Sequence, residues 1–231
     1  RDRRRCRDSR GPADCASVAL RPSGLLPPAA AAESGCRGRI RLLTIVGTPG
    51  CVDYYPGWVD DADRLFGVLQ DQIVWEQQVL TLYGRTVPTP RLTAWMGDSA
   101  YRYSGIVNEP VPWPGALAEL RERLRQEFGV DLNSCLANLY RDGADSMGYH
   151  SDDEPELGLR PTIASVSLGA RRQFVLRHRT TRAKWSWDLG QGDLLVMRDE
   201  SQSDYAHAVP KTSRPVGPRM NLTFRHFQPR S

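Results

Sequence analysis

Three short segments carry the residue types that do chemistry: Tyr149-His150-Ser151-Asp152, then Tyr205-Ala206-His207, then Arg219-Met220-Asn221-Leu222-Thr223-Phe224-Arg225. In an extended strand residues two apart share a face, so His150 and Asp152 can present an imidazole and a carboxylate to one point, and His207 can close the set from a later strand. Two histidines and one carboxylate form the facial set that holds a ferrous ion and leaves three of its positions open for cosubstrate and dioxygen. A His-x-Asp by itself is a weak signal, because many surface loops contain one. The arginine segment strengthens it. There Met220, Leu222 and Phe224 alternate with Arg219, Asn221, Thr223 and Arg225, a core face against a polar face. Two arginines turned inward from such a strand need anions, since a guanidinium without a partner carries a large desolvation cost. Their backbones stand roughly 20 Å apart in a straight strand, and the gap left after both side chains reach inward suits a short dicarboxylate. Asn138 and Tyr140, again two apart, either offer an amide and a phenol to the same space or form a satisfied core pair.

These groups need elements to hold them. Ala62, Leu65, Phe66 and Leu69 sit at helical spacing behind Asp60 or Asp61 as a cap, and Leu117, Leu120, Leu124 and Phe128 form a second stripe over 115–128 that Gly129 ends. Both stripes read as core-facing. From residue 134 onward the pattern predicts strands at 134–140, 163–169, 172–178, 184–189, 193–197 and 219–227, punctuated by Gly190, Gly192 and proline-rich turns. Many strands after two helices suggest a mainly β jelly roll with flanking helices, and the sequence has no internal repeat. Trp185 and Trp187 share one strand face and pack a core or an edge. His178 and His226 read as structural, because neither has a metal-compatible neighbour in its strand.

The 231 residues suffice for one substantial core plus an unfolded arm. The formal charge of +4 says little about partners, because residues 1–39 hold nine arginines against four acids, and the other 22 basic and 23 acidic residues leave the remainder at −1. That arm, rich in Arg, Ala, Pro and Ser, has too few apolar groups to offset ordering entropy; its composition fits an organelle transit peptide or a plain disordered segment. Residues 40–231 form the expected single domain. Arg171, Arg172, Arg177, Arg179, Arg182 and Lys184 occur with no acid between Arg171 and Lys184, a cluster that either tracks phosphates or forms a solvated hairpin. Cysteines 6, 15, 36, 51 and 135 contain no CxxC and fit neither a disulfide framework nor a zinc site, which points to a reducing, intracellular setting, cytoplasmic or nucleoid-associated. No apolar run is long enough to span a bilayer.

With these segments in view the chain resembles the AlkB family of Fe(II)/2-oxoglutarate-dependent dioxygenases, repair enzymes for alkylated nucleic-acid bases. The matching stretches are Thr89-Pro90-Arg91, Tyr101-Arg102-Tyr103-Ser104-Gly105, Asn138-Leu139-Tyr140, His150-Ser151-Asp152-Asp153-Glu154, Ile163-Ala164-Ser165-Val166-Ser167-Leu168-Gly169, His207 and the arginine strand, in family order from about residue 43 to 228. Phe174-Val175-Leu176-Arg177-His178 and Tyr140-Arg141-Asp142-Gly143 read closest to the homologues that act on double-stranded DNA. The resemblance implies a double-stranded β-helix with a nucleotide-recognition segment, iron held by His150, Asp152 and His207, and 2-oxoglutarate bound by Asn138, Tyr140, Arg219, Asn221 and Arg225. In that carry-over Arg219 takes the distal carboxylate and Arg225 lies nearer the keto end.

The implied reaction uses dioxygen and 2-oxoglutarate to oxidise an N-methyl group on a base of the 1-methyladenine or 3-methylcytosine type in DNA or RNA, releasing succinate, carbon dioxide and formaldehyde. Trp95, Tyr101 and Tyr103 resemble the nucleotide-recognition segment, where aromatic faces can stack a flipped base. Asp153 and Glu154 either favour a cationic methylated base or are solvated loop acids. Leu82-Tyr83-Gly84-Arg85 resembles the finger that duplex-acting homologues insert where a base is flipped, with Tyr83 at its tip; the bland alternative is an ordinary hairpin. Alkylated DNA is the expected partner and a monomer the expected state. An oxygenase of the same mechanism acting on protein or lipid would keep the iron and 2-oxoglutarate residues but would not need Tyr83, Tyr103 and the basic run. A non-catalytic nucleic-acid binder is argued against by the intact triad and arginine pair, and a zinc hydrolase by the lack of a separate general base.

Overall fold

The computed structural model describes residues 49–82, 85–98, 101–103, 106–108 and 111–228, with the backbone alone for residues 82, 101–103 and 106–108. The arm expected at 1–39 and Tyr83 lie outside the described residues. In chain order the elements are β1 (Val52–Tyr55), α1 (Ala62–Gln72), β2 (Val79–Leu82), β3 (Arg85–Pro88), β4 (Leu92–Gly97), β5 (Tyr101–Tyr103), β6 (Ile106–Asn108), α2 (Gly115–Phe128), β7 (Ser134–Tyr140), β8 (Met147–His150), β9 (Ile163–Gly169), β10 (Arg172–His178), β11 (Lys184–Leu189), β12 (Asp193–Met197), β13 (Tyr205–Val209) and β14 (Arg219–Arg225). Short 3-10 turns lie at Pro155–Leu157 and Asp199–Ser201.

Alternation along the strands builds two antiparallel sheets. One has the order β1-β12-β9-β14-β7-β4 and the other β11-β10-β13-β8; β2 with β3 and β5 with β6 form separate hairpins. In the larger sheet both faces are covered, which is why β12 is buried at every position and β9, β7 and β14 at nearly every one. One face sends Leu139, Val166, Leu168, Met220, Leu222 and Phe224 against Leu69 of α1 and Leu117, Leu120 and Leu124 of α2. The other sends Tyr140, Ile163, Leu195 and Met197 toward Phe174, Leu176, Trp187 and Val209 of the smaller sheet. Each such side chain contributes roughly 1.5–3 kcal/mol on burial. The arrangement is the expected jelly roll, and its polar furrow runs between the sheets.

Gly129 ends α2 in the left-handed region at φ 66°, its N–H donating to Arg125 O at 3.0 Å. Gly192 turns into β12 at φ 85°, and a Cβ there would stand 2.5 Å from the Val59 carbonyl oxygen. The next residue, buried Asp193, accepts from the N–H groups of Gly57 and Gly190 and from Arg171. It thereby ties the β11–β12 turn to the loop after β1.

Four local expectations change. Strands precede and separate the helices instead of following both: β1 pairs with β12 and β4 with β7, short segments whose alternation is too brief to stand out. The strand expected over 219–227 ends at Arg225, because Phe227 N–H turns to Asn133 Oδ1 at 2.7 Å. Asp61 stands at the N-terminus of α1 without a side-chain capping bond. His150 and Asp152 do not share a strand, since β8 stops at His150. Among the described residues no helix is long and apolar enough to cross a membrane.

Candidate functional site

Pairing of β13 with β8 sets His207 directly opposite His150, and their rings meet edge to face with centroids 4.2 Å apart. His150 Nδ1 lies 2.9 Å from the Gly148 carbonyl oxygen, so that nitrogen carries the proton and Nε2 is left as the metal-facing donor. After His150 the chain leaves the sheet, and the Asp152 N–H donates to Gln202 Oε1 at 3.0 Å. That bend returns the carboxylate to the histidine pair. One ligand atom from each of His150, Asp152 and His207 lies within 4.8 Å of the others, the only group of three metal-compatible side chains so placed among the described residues. Asp152 and His207 are buried.

Electrostatics suit a cation. Burial, reinforced by the neighbouring His150, pushes the His207 imidazole down to about 3, so it is neutral at pH 7 with its lone pair available. Burial raises the Asp152 pKa, but Arg225 and the two histidines outweigh it and hold the carboxyl below its usual range. His207 Nδ1 is buried without a hydrogen-bond partner, and Phe174 stacks on its ring at 5.4 Å.

The anion-binding half comes from β14. Arg219, Asn221, Thr223 and Arg225 point between the sheets, flanked by Asn138 and Tyr140 of β7 and by Ser165 and Ser167 of β9. Arg219 is 1% exposed; one of its nitrogens donates to Ser167 Oγ at 2.8 Å, while Nε and Nη1 are buried with no partner. Tyr140 lies against the guanidinium, 5.4 Å from its ring centre. Burial lowers the Arg219 pKa to about 10, which still leaves it cationic at pH 7. A buried cation with two unsatisfied donors fits a carboxylate ligand. Arg225, also 1% exposed, reaches the metal end: its Nη1 is 3.4 Å from Asp152 Oδ1 and 3.6 Å from Glu154 Oε1. The donor set and the two arginines therefore fit a ferrous ion with a dicarboxylate beside it.

All three triad residues and all five expected anion-site residues line one cavity. The expected substrate residues do not gather so cleanly. Trp95 is a core residue, 5% exposed and set edge-on against Phe227, so it has no face open to a stacked base. Tyr101 and Tyr103 lie on β5, described in backbone only. Glu154 leans toward Arg225, and exposed Asp153 pairs with Arg179 at 3.3 Å. The basic run also disperses: buried Arg172 donates to the carbonyls of Asp142, Asp145 and Pro210, Arg171 pairs with Asp193, and Arg177 lies 3.8 Å over the Tyr149 ring. Arg179, Arg182 and Lys184 remain exposed.

Sequence reasoning missed the supporting polar groups. Ser165 Oγ accepts from Asn221, Ser167 accepts from Arg219, and buried Arg91 donates to Asn138 Oδ1 at 2.7 Å. The two serines had a legible signal, alternation inside an otherwise apolar strand; Gln202 had none.

A family model described as 2OG-Fe(II) oxygenase superfamily matches residues 52–225. The chain is 41% identical to mouse alpha-ketoglutarate-dependent dioxygenase alkB homolog 3 across 76% of its own length and 65% of that protein's, so it spans just under two thirds of this relative. It is 35% identical to mouse DNA oxidative demethylase ALKBH2, over 73% of this chain and 76% of that one. The solved structure of OsALKBH1 superposes with a TM-score of 0.56 at 18% identity, covering 80% of this chain and 100% of that one, which shows the fold alone.

Proposed function

This chain belongs to the AlkB family of the 2OG-Fe(II) oxygenase superfamily, and from that premise we propose that it oxidatively removes alkyl groups from the ring nitrogens of nucleic-acid bases, of the 1-methyladenine and 3-methylcytosine type, in DNA or RNA. The observation that carries the reading is a His150–Asp152–His207 cluster, its carboxylate and second histidine buried, in the same cavity as the partnerless nitrogens of Arg219. The similarity to mouse DNA oxidative demethylase ALKBH2 supports the substrate class.

Iron and 2-oxoglutarate, when bound, would supply the oxidising chemistry with dioxygen as the oxidant: one oxygen atom goes to succinate as the oxoacid loses carbon dioxide, and the other hydroxylates the N-alkyl carbon, which leaves as an aldehyde. The protein supplies position and charge. His150 and His207 would donate an imidazole nitrogen each and Asp152 an anion to the metal. Arg219, steadied by Ser167 and Tyr140, would hold a carboxylate of 2-oxoglutarate, while Arg225 holds Asp152 and would supply a second positive charge beside it. Leu136, Met147, Phe174, Met197 and Val209 line the rest of the cavity and exclude water from the reacting carbon. Asp153 and Glu154 follow the ligand Asp152 directly and favour a base that carries positive charge. The protein acts as a monomer inside the cell, where its substrate lies. Mass spectrometry of a 1-methyladenine oligonucleotide after incubation with iron and 2-oxoglutarate tests the reading. The expected product is the unmodified base; an unchanged oligonucleotide overturns it.

A further inference from the structure

The Asp152 carboxylate sits on a stretch without strand pairing, Ser151 to Glu154, so no sheet ladder fixes it. Hydrogen bonds to the segment that leads into β13 do. Ser151 Oγ donates to the Tyr205 carbonyl oxygen at 2.7 Å, and the Asp152 N–H donates to Gln202 Oε1 at 3.0 Å. Gln202 is 2% exposed, and its Nε2 donates to Ser201 Oγ at 3.1 Å and meets Met197 Sδ at 3.7 Å. The amide is therefore held at both ends: the Asp152 N–H, which can only donate, sets its oxygen, and Nε2 is left to donate to Ser201 Oγ and face Met197 Sδ. Gln202 also lies five residues before His207 on the same run of chain. One side chain thus links the loop that carries the carboxylate to the segment that carries the second histidine.

We propose that Gln202 is a positioning residue for the metal centre, fixing the distance between the Asp152 carboxylate and His207 through the backbone N–H of Asp152. It touches neither the metal nor the cosubstrate. Its carbonyl oxygen takes a buried donor that would otherwise be orphaned, and without it the loop can swing the carboxylate away from the histidine pair. Groups that orient metal ligands typically change metal affinity by about ten- to a hundredfold when removed. Gln202→Met keeps the length and the burial but offers the N–H only a weak thioether acceptor in place of the amide oxygen. Gln202→Asn keeps the amide and shortens it by one methylene, so the acceptor no longer reaches.

The inference rests on the metal site proposed above, and the test separates the two. Co(II) is titrated into the full-length metal-free protein and followed by visible absorption, whose band shape reports coordination geometry, with thermal unfolding of the same metal-free samples alongside. The wild type should bind Co(II) and Asp152→Ala should not; a wild type without Co(II) absorption overturns the metal site itself. Given binding by the wild type, Gln202→Met and Gln202→Asn should each bind Co(II) at least tenfold more weakly, with an altered band shape and a cooperative unfolding transition retained. Wild-type affinity and band shape in both variants overturn the proposal, as does loss of cooperative unfolding in the metal-free variants, which would make Gln202 a residue of the fold.

Discussion

Arg225 and Asp152 meet at 3.4 Å although 73 residues separate them, and this contact joins the metal-binding half of the cavity to its anion-binding half. Both are buried, and Glu154 stands 3.6 Å from the same arginine nitrogen, so the guanidinium sits between two carboxylates on one short loop. The arginine thereby stabilises the ionised form of the metal ligand while staying within reach of an incoming dicarboxylate.

That geometry predicts a clean loss for Asp152→Ala. Removing one partner of a buried ion pair usually costs 3–5 kcal/mol, but Glu154 remains beside Arg225, so the cost here should be about 1–2 kcal/mol. Iron-dependent turnover should vanish while the urea unfolding transition stays cooperative. Asp153→Ala, which removes an exposed carboxylate proposed to favour a cationic base, should retain iron and weaken substrate use.

Arg219→Ala removes a charge-assisted pair with a carboxylate. Each 1.4 kcal/mol is tenfold in affinity, so the apparent 2-oxoglutarate requirement should rise roughly tenfold or more. Titration of 2-oxoglutarate at fixed iron measures it. An unchanged requirement in both Arg219→Ala and Arg225→Ala places the anion site elsewhere.

Arg172 and Lys184 should behave oppositely despite their shared basic run. Buried Arg172 satisfies the carbonyls of Asp142, Asp145 and Pro210, which a lysine cannot span, so Arg172→Lys should cost about 2–4 kcal/mol in urea unfolding. Its effect on the salt dependence of nucleic-acid binding should be negligible. Exposed Lys184, changed to alanine, should leave stability within about 0.5 kcal/mol and reduce the salt slope by about one.

Leu82 pairs with Arg85 across the β2–β3 hairpin, and Tyr83 is the aromatic residue proposed to meet a flipped base. Flipping a base from a duplex costs a few kcal/mol, and one stacked aromatic returns roughly 1–3. Tyr83→Ala should therefore lose about ten- to a hundredfold on a methylated duplex and little on the same lesion in single strand. Equal losses on both substrates would show that Tyr83 supports the fold.

The polar face of β14 was legible because a period of two survives in any register, and Arg219, Asn221 and Arg225 all point as their alternation requires. The His150–Asp152 pair was legible in residue type but not in geometry: Asp152 reaches the site from a loop whose shape depends on Gln202, fifty residues away. Trp95 misled because aromatic type does not say which face of β4 is turned inward. Arg172 misled because its partners are backbone carbonyls 27 to 38 residues distant, which leave no mark on the charge pattern.

Oxidation at this cavity should be coupled to an alkylated base. The direct measurement incubates the protein with iron, 2-oxoglutarate and matched oligonucleotides that carry or lack 1-methyladenine, and quantifies succinate and formaldehyde together. Equal amounts of both are expected with the methylated strand, little of either with the unmethylated strand, and neither from Asp152→Ala. Succinate formed equally on both strands without formaldehyde would contradict it.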